Sequence, residues 1–390
     1  MDSGFRPLDG IRVIEMSHMV FGPSCGMFLA FSGAEVIKVE PPSGDKTRHL
    51  TGMGASFFPT FNRGKKSVVL DLDSGEGQEA FGKLLVSADV FIENFRRSPL
   101  EKLGLSKAEL RRTNPGIINV ACKGFLHGPY EDRSALDEVV QMMTGLAYMT
   151  GPPGRPLRVG SSVNDIMGGL FGAYSVMGAL RERTQTGKGR DVRVGLFENS
   201  LLLVAQHMVQ FELLGVEPPP MPDREFSWPV YDIFKTADGK SMFVGAVTEG
   251  QWDTLCGLLE LENLLADQTL RTRVDQIAAR DRTLPEFRKA ISLREFTDLQ
   301  AAFEENGIPF APVARPAEMY DDPQATSGRM PVSALPGGSS MRAPGFPVEI
   351  DDDRTEAATD VPAKGADTAE VLASLGFSAD FIERAKGARA

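Results

Sequence analysis

Residues 11–40 read IRVIEMSHMVFGPSCGMFLAFSGAEVIKVE, and the order of signals within them decides the fold. Ile11 to Met16 is a short apolar strand, Gly22-Pro23 opens a stretch of helical spacing that runs from Pro23 to Ser32, and Glu35 to Glu40 is a second strand. Proline suits a helix start because its φ is already helical and its missing N–H has no partner to lose there. This is a βαβ unit. Outward from it, strands are expected at Val68–Leu72, Val90–Phe95 and Ile117–Cys122, separated by helices at Gly75–Val86 and Leu100–Arg112. Such alternation predicts an α/β fold whose parallel, doubly wound sheet carries helices on both faces.

Beyond a Gly/Pro-rich loop (Gly151–Gly160) stand Asp165, a small-residue helix from Ile166 to about Thr184, a strand near Asp191–Leu196 and an apolar helix to about Leu214. The texture then changes. Val216–Pro222 (VEPPPMP) is a linker, and Val230–Thr236, Asp238-Gly239 and Ser241–Val247 form a hairpin about a DG turn. Helices are expected from Glu249 and between Asp281 and Gly307, then a Pro/Gly/Asp-rich segment, Pro331–Asp353, and a last helical pair at Thr368–Leu375 and Ala379–Ala385. The expected division is a large domain over 1–215, completed by the tail 325–390, and a smaller α+β domain over 225–320.

Of 390 residues, 42 are Lys or Arg and 53 are Asp or Glu, a net charge of −11. Binding nucleic acid requires many phosphates to be neutralised at once, so no nucleic-acid partner is expected. Cys25, Cys122 and Cys256 form no CxxC pair and read as reduced thiols. Met1–Gly10 has no basic and apolar signal pattern, and the uncharged stretch Met16–Ala34 is broken by Ser17, His18, Gly22, Pro23 and Ser24. A soluble, cytoplasmic protein without a membrane partner is the expectation. No two of the four histidines stand at helical spacing, so no metal site is expected. GxSxG, GxxxxGK and GxGxxG are absent.

Glu40 ends the second strand where a dinucleotide-binding fold places its ribose-binding acid, although the glycine fingerprint is missing. Basic residues gather in the sheet half: Lys46 and Arg48, then Arg63, Lys65 and Lys66, then Arg96 and Arg97, then Lys123. Several sit just past strand ends, where they suit a phosphate-bearing ligand, while for any single Lys or Arg the ordinary place is solvated surface. Asp165 reads from its position as a helix N-cap. Gly168, Gly169 and Gly172 each cost about 1 kcal/mol relative to Ala in a helix, which makes sense where something approaches that backbone closely.

Taken together, PLDGIRVIEMSHMVFGPSCGMFLAFSGAEVIKVEPPSGDKTR, FNRGKKSVVLDL, FIENFRRSPLEKLGL, NPGIINVACKGFLHGPY, ALDEVVQMMTGL, VNDIMGGLFGAYSVMGALRERTQTGKGRDVRVGLFE, GIPFAPVARPAEMYDDPQ and DTAEVLASLGFSADFIERA resemble the class III CoA-transferases, the CaiB/BaiF group. The resemblance implies a Rossmann-like sheet domain with a small α+β domain in an interlocked, ring-like homodimer. It implies CoA and acyl-CoA as substrates, with no permanently bound cofactor, and a small carboxylic acid as the second substrate. It also implies Asp165 as covalent nucleophile, holding first acyl in a mixed anhydride and then CoA in a thioester, with the N–H groups of Gly168 and Gly169 available to an oxyanion. CoA contacts are then expected among His18, Val20, Arg48, Arg63, Lys65, Lys66, Asn94, Phe95, Arg96, Arg97, Lys123 and Asp137. Two alternatives stand beside transfer. A 2-methylacyl-CoA racemase shares this fold but needs a histidine where Leu136 stands, and an NAD-dependent dehydrogenase needs the missing glycines. Formyl-CoA:oxalate transferases differ at Val20 and in the small domain around Phe226–Tyr231, which points to a larger acid than oxalate.

Overall fold

The computed structural model describes residues 5–223, 228–328, 330–354 and 359–387. The chain forms two compact units, Met1–Pro222 with Ser327–Ala390, and Asp223–Thr326.

In the larger unit six strands, β1 (Arg12–Met16), β2 (Glu35–Glu40), β3 (Lys66–Val69), β4 (Val90–Glu93), β5 (Ile118–Lys123) and β6 (Asp191–Gly195), pair in parallel in the order β3-β2-β1-β4-β5-β6. Strand residues alternate between two cores, as pleating demands. Val13, Val36, Val90 and Val120 face Cys25, Leu29 and Val176, whereas Ile14, Ile37, Val68 and Phe91 face Phe81, Leu84 and Leu110. Burial on both faces explains why these strands are nearly continuous apolar runs. The tail helices Thr368–Ser374 and Ala379–Ala385 complete the second core through Val371, Leu372 and Ile382. They are tied to the sheet by Ser67 N–H donating to Asp367 (2.7 Å) and Val69 N–H donating to Thr368 (3.0 Å).

Two elements differ from expectation for local reasons. Leu100–Arg112 is two helices, Arg97–Lys102 and Lys107–Thr113. Gly104 at φ 66° stops the first, and a Ser106/Glu109 capping box starts the second. The glycine-rich helix runs Val163–Thr186, so Asp165 lies in its first turn and Ser162 takes the N-cap position. Capping is therefore not the role of Asp165.

In the smaller unit β7 (Val230–Lys235) and β8 (Ser241–Ala246) make the antiparallel hairpin, with Gly239 at φ 75° in the turn. A third strand, β9 (Phe310–Pro312), pairs with β8; its three Pro-flanked residues show no strand period. Trp252, Phe287 and Phe303 centre the core. Residues 224–227, which hold part of the Phe226–Tyr231 departure, lie outside the described residues. No described helix is long and apolar enough to cross a membrane, and all three cysteines are free and buried.

Candidate active site at the glycine helix and the sheet edge

The glycines of the Val163–Thr186 helix have a packing reason. A Cβ on Gly168 would lie 2.6 Å from the Phe21 ring, one on Gly169 2.5 Å from Ser24 Cβ and 2.8 Å from the Cys25 backbone nitrogen, and one on Gly172 2.8 Å from Cys25 Sγ. What approaches this backbone is the helix Phe21–Phe31, rather than a ligand. The N–H groups of Gly168 and Gly169, expected to be available to an oxyanion, lie inside the helix. The two glycines are the sixth and seventh residues of the helix, past the four whose N–H groups lack an intrahelical acceptor.

Those first amides have a partner from another helix. Asp137, the first residue of the helix Asp137–Met143, accepts from Asn164 N–H (2.8 Å) and Asp165 N–H (3.1 Å) on one oxygen, and from Gln141 Nε2 on the other. Only 7% exposed, Asp137 serves as an internal cap on the start of the glycine helix. Arg158 stands 4.0 Å from Asp137 and 3.4 Å from Glu138. The Asp165 carboxyl accepts no hydrogen bond from any described residue. Burial, reinforced by the Asp137 charge and opposed by Arg158, pushes its pKa up to about 7. That value lies near neutrality, where the two protonation states of the carboxyl are close in free energy. Beside it the buried Asn164 amide and Asn199 Oδ1 have no partner among the described residues, while Asn199 Nδ2 donates to Asn164 O at 2.7 Å. Neither asparagine, nor Arg158, carried a sequence signal.

A cavity of about 400 Å³ opens at the carboxyl ends of β1, β2, β3 and β4, lined by Met16, His18, Glu40, Lys46, Leu70 and Phe95 among others. Strand order reverses between β1 and β4, where loops diverge and open sheets bind ligands. The His18 and Phe95 rings lie 5.3 Å apart, and burial holds the His18 imidazole below its usual pKa, hence neutral at pH 7.

Several expected contacts turn out to have internal duties. Lys65 donates to Glu15 (2.7 Å), the Pro23 carbonyl (2.9 Å) and Asn62 (3.1 Å), which uses all three ammonium hydrogens. Burial, against the pull of Glu15, lowers its pKa to about 8. Lys66 begins β3, at the sheet edge opposite the cavity, and pairs with Glu35 (3.1 Å) and Glu370 (3.0 Å). Arg63 is buried, with Nε on the Thr60 carbonyl and Nη1 unpartnered among the described residues. Arg48 grips Glu40 through two bonds of 2.7 and 2.6 Å, and Ser67 donates to the same carboxylate. Although burial opposes it, these partners hold Glu40 below the usual carboxylate range, so Glu40 has no oxygen to offer a ribose. Val20 is buried at the entry to the Phe21–Phe31 helix. Lys123 binds Glu93 at 2.7 Å and the Phe95 carbonyl. Arg96 and Arg97 remain exposed, hydrogen-bonded to Ser134 (2.7 Å) and Glu131 (3.2 Å). Charges at Glu15, Lys38 and Glu40, at alternate positions of two apolar strands, were the legible trace of this buried ionic layer.

The family model described as CoA-transferase family III matches residues 8–368. The succinate–glutarate CoA-transferase of Agrobacterium fabrum is 32% identical over 97% of this chain and 97% of its own length. The succinyl-CoA–D-citramalate CoA-transferase of Chloroflexus aurantiacus is 33% identical over 82% of this chain and 81% of its own, and the acetyl-CoA:oxalate CoA-transferase of Acetobacter aceti 32% over 88% and 89%. The crystal structure of a CaiB/BaiF family protein from Brucella suis superposes with a TM-score of 0.84 at 30% identity, covering 95% of this chain and 99% of that one.

Proposed function

Because the chain belongs to CoA-transferase family III, we propose that it moves CoA from an acyl-CoA donor to a second small carboxylic acid with Asp165 as covalent carrier. The observation that carries this reading is the Asp165 carboxyl itself, half-buried, its pKa pushed up to about 7 and without a hydrogen bond from the described residues. Its oxygen attacks the thioester carbonyl, the C–S bond breaks, and a mixed anhydride forms with release of CoA thiolate. The thiolate attacks the aspartyl carbonyl, giving an aspartyl-CoA thioester and the free donor acid. The acceptor carboxylate then displaces CoA thiolate to form a second anhydride, and thiolate attack on its acyl carbon returns Asp165 as carboxylate. No proton need move in the four exchanges.

The cavity lined by His18 and Phe95 suits the adenine ring by its apolar walls, with Lys46 on its lining and the exposed Arg96 and Arg97 next in the chain after Phe95 as cations for the phosphates. CoA is a substrate here and not a resident group. Relatives named for glutarate, D-citramalate and oxalate favour a dicarboxylate acceptor, with succinyl-CoA as a donor to test first. Reduced, buried cysteines fit a cytoplasmic enzyme. Leu136, exposed and without a titratable group, removes one proton carrier from the racemase reading, so a chiral 2-methylacyl-CoA should keep its α-hydrogen in deuterated water.

The deciding experiment is to incubate the enzyme with succinyl-CoA, trap with hydroxylamine or borohydride, and map the modified residue by mass spectrometry. Modification of Asp165, and of neither Asp137 nor Glu138, is expected. Turnover with an unmodified Asp165 would sink the mechanism.

A further inference from the structure

The turn His18-Met19-Val20 joins β1 to the helix Phe21–Phe31 in a conformation its sequence disfavours. Met19 has φ 64°, in the left-handed region where a Cβ crowds the following carbonyl. Its side chain is 40% exposed, so burial does not compensate. Asn94 does: Oδ1 accepts from His18 N–H (3.2 Å) and Nδ2 donates to the His18 carbonyl (2.8 Å). Thr47 Oγ1 accepts from Met19 N–H at 3.1 Å. Asn94 is in turn held between two anchored neighbours, since Lys123 binds both Glu93 and the Phe95 carbonyl, and Phe95 N–H donates to Glu93 at 2.9 Å.

The two ends of this turn reach the two halves of the site. His18 lines the cavity at the strand ends. Val20 shares a core cluster with Ile166, next to Asp165, and Phe21 packs where a Cβ on Gly168 would stand 2.6 Å away. Resting on the transfer reading, we propose that Asn94 is a positioning residue: by clasping His18 it holds Met19 left-handed, and so fixes how the cavity wall stands relative to the Asp165 end of the glycine helix. Asn94 acts through the turn, not through contact with CoA.

Hydrogen exchange read by mass spectrometry on the ligand-free enzyme tests the clasp directly, and kinetics with calorimetry test its consequence. In Asn94→Ala, exchange at the amides of residues 18 and 19 should rise at least tenfold. The kcat should fall about tenfold to a hundredfold while CoA affinity stays within about twofold, the pattern of lost positioning and not of lost binding. Adding Met19→Gly should then recover about tenfold of kcat, because glycine enters the left-handed region without the penalty other residues meet. If Asn94→Ala does not fold, Asn94→Asp keeps the acceptor for His18 N–H and loses only the donor, and should show the same pattern in weaker form. Unchanged exchange at residues 18 and 19, CoA binding weakened tenfold with kcat kept, or no recovery on adding glycine would each overturn the proposal. A parent enzyme that binds no CoA would instead end the transfer reading, and the exchange measurement, made without ligand, would still decide on the clasp.

Discussion

A carboxyl attacks a thioester only when ionised, and Asp165 sits where ionisation is costly. With burial and the Asp137 charge holding its pKa at about 7, transfer should rise with pH through about 7 and level off above it. Arg158→Gln removes a cation that favours the charged form and should move that inflection upward, as read from kcat against pH. The same shift has a stability consequence. A raised pKa in the folded state means that the neutral form is the better tolerated one, so the contribution is whole below the ordinary aspartate range and is lost as pH rises through about 7. Asp165→Asn should therefore melt higher than the parent above pH 7, by on the order of 1–2 kcal/mol once solvent screening at its partly exposed edge is allowed for. The advantage should fade below pH 5, and transfer should fall by about three orders of magnitude or more. A variant less stable than the parent at pH 8 would contradict this account of the carboxyl.

Between elements, the decisive contact is that of the Phe21–Phe31 helix on the Val163–Thr186 helix, because it sets where Asp165 stands. Gly169→Ala places a methyl 2.8 Å from the Cys25 backbone nitrogen, which cannot swing aside as a side-chain tip can. The gain of up to about 1 kcal/mol in helix propensity is then outweighed by overpacking of about 1–3 kcal/mol. Gly178, in the same helix, has nothing within 4 Å of its Cβ position. Denaturant unfolding should show Gly178→Ala stabilised by about 0.5–1 kcal/mol and Gly169→Ala destabilised, with transfer reduced only in the latter. Equal effects at the two positions would mean that close packing is not why Gly169 is glycine.

For the molecule as a whole, the two long helices leave an apolar surface in the single chain. Tyr174 is 75% exposed, Leu213 76% and Leu214 66%, large apolar side chains on those helices that lose free energy by standing in water. This favours the homodimer that the family resemblance implies. Sedimentation at micromolar concentration should give twice the 42.3 kDa chain mass, and a Tyr174→Arg, Leu213→Arg double variant should shift the mass toward one chain. A parent that sediments as a single chain would overturn the dimer that the resemblance implies.

Sequence by itself determined the elements whose signals are local. The apolar run at Ile11–Met16, the Gly22-Pro23 helix start and EVIKVE lead directly to a parallel βαβ unit, and the Asp238-Gly239 turn to a hairpin, because a period or a turn dihedral is decided by residues adjacent in the chain. Asp165 was legible by resemblance, but its spacing alone read as a cap. Only the tertiary structure decided which charges face inward, since Lys65 and Arg63 look no different in sequence from Arg96 and Arg97. It also decided that Asp137 caps a helix 27 residues away, that Phe21 is the reason for Gly168, and that Asn94 clasps a turn 76 residues back. These are relations between segments distant in the chain, and no periodicity carries them, because burial and hydrogen-bond partnership arise only when the segments are packed together.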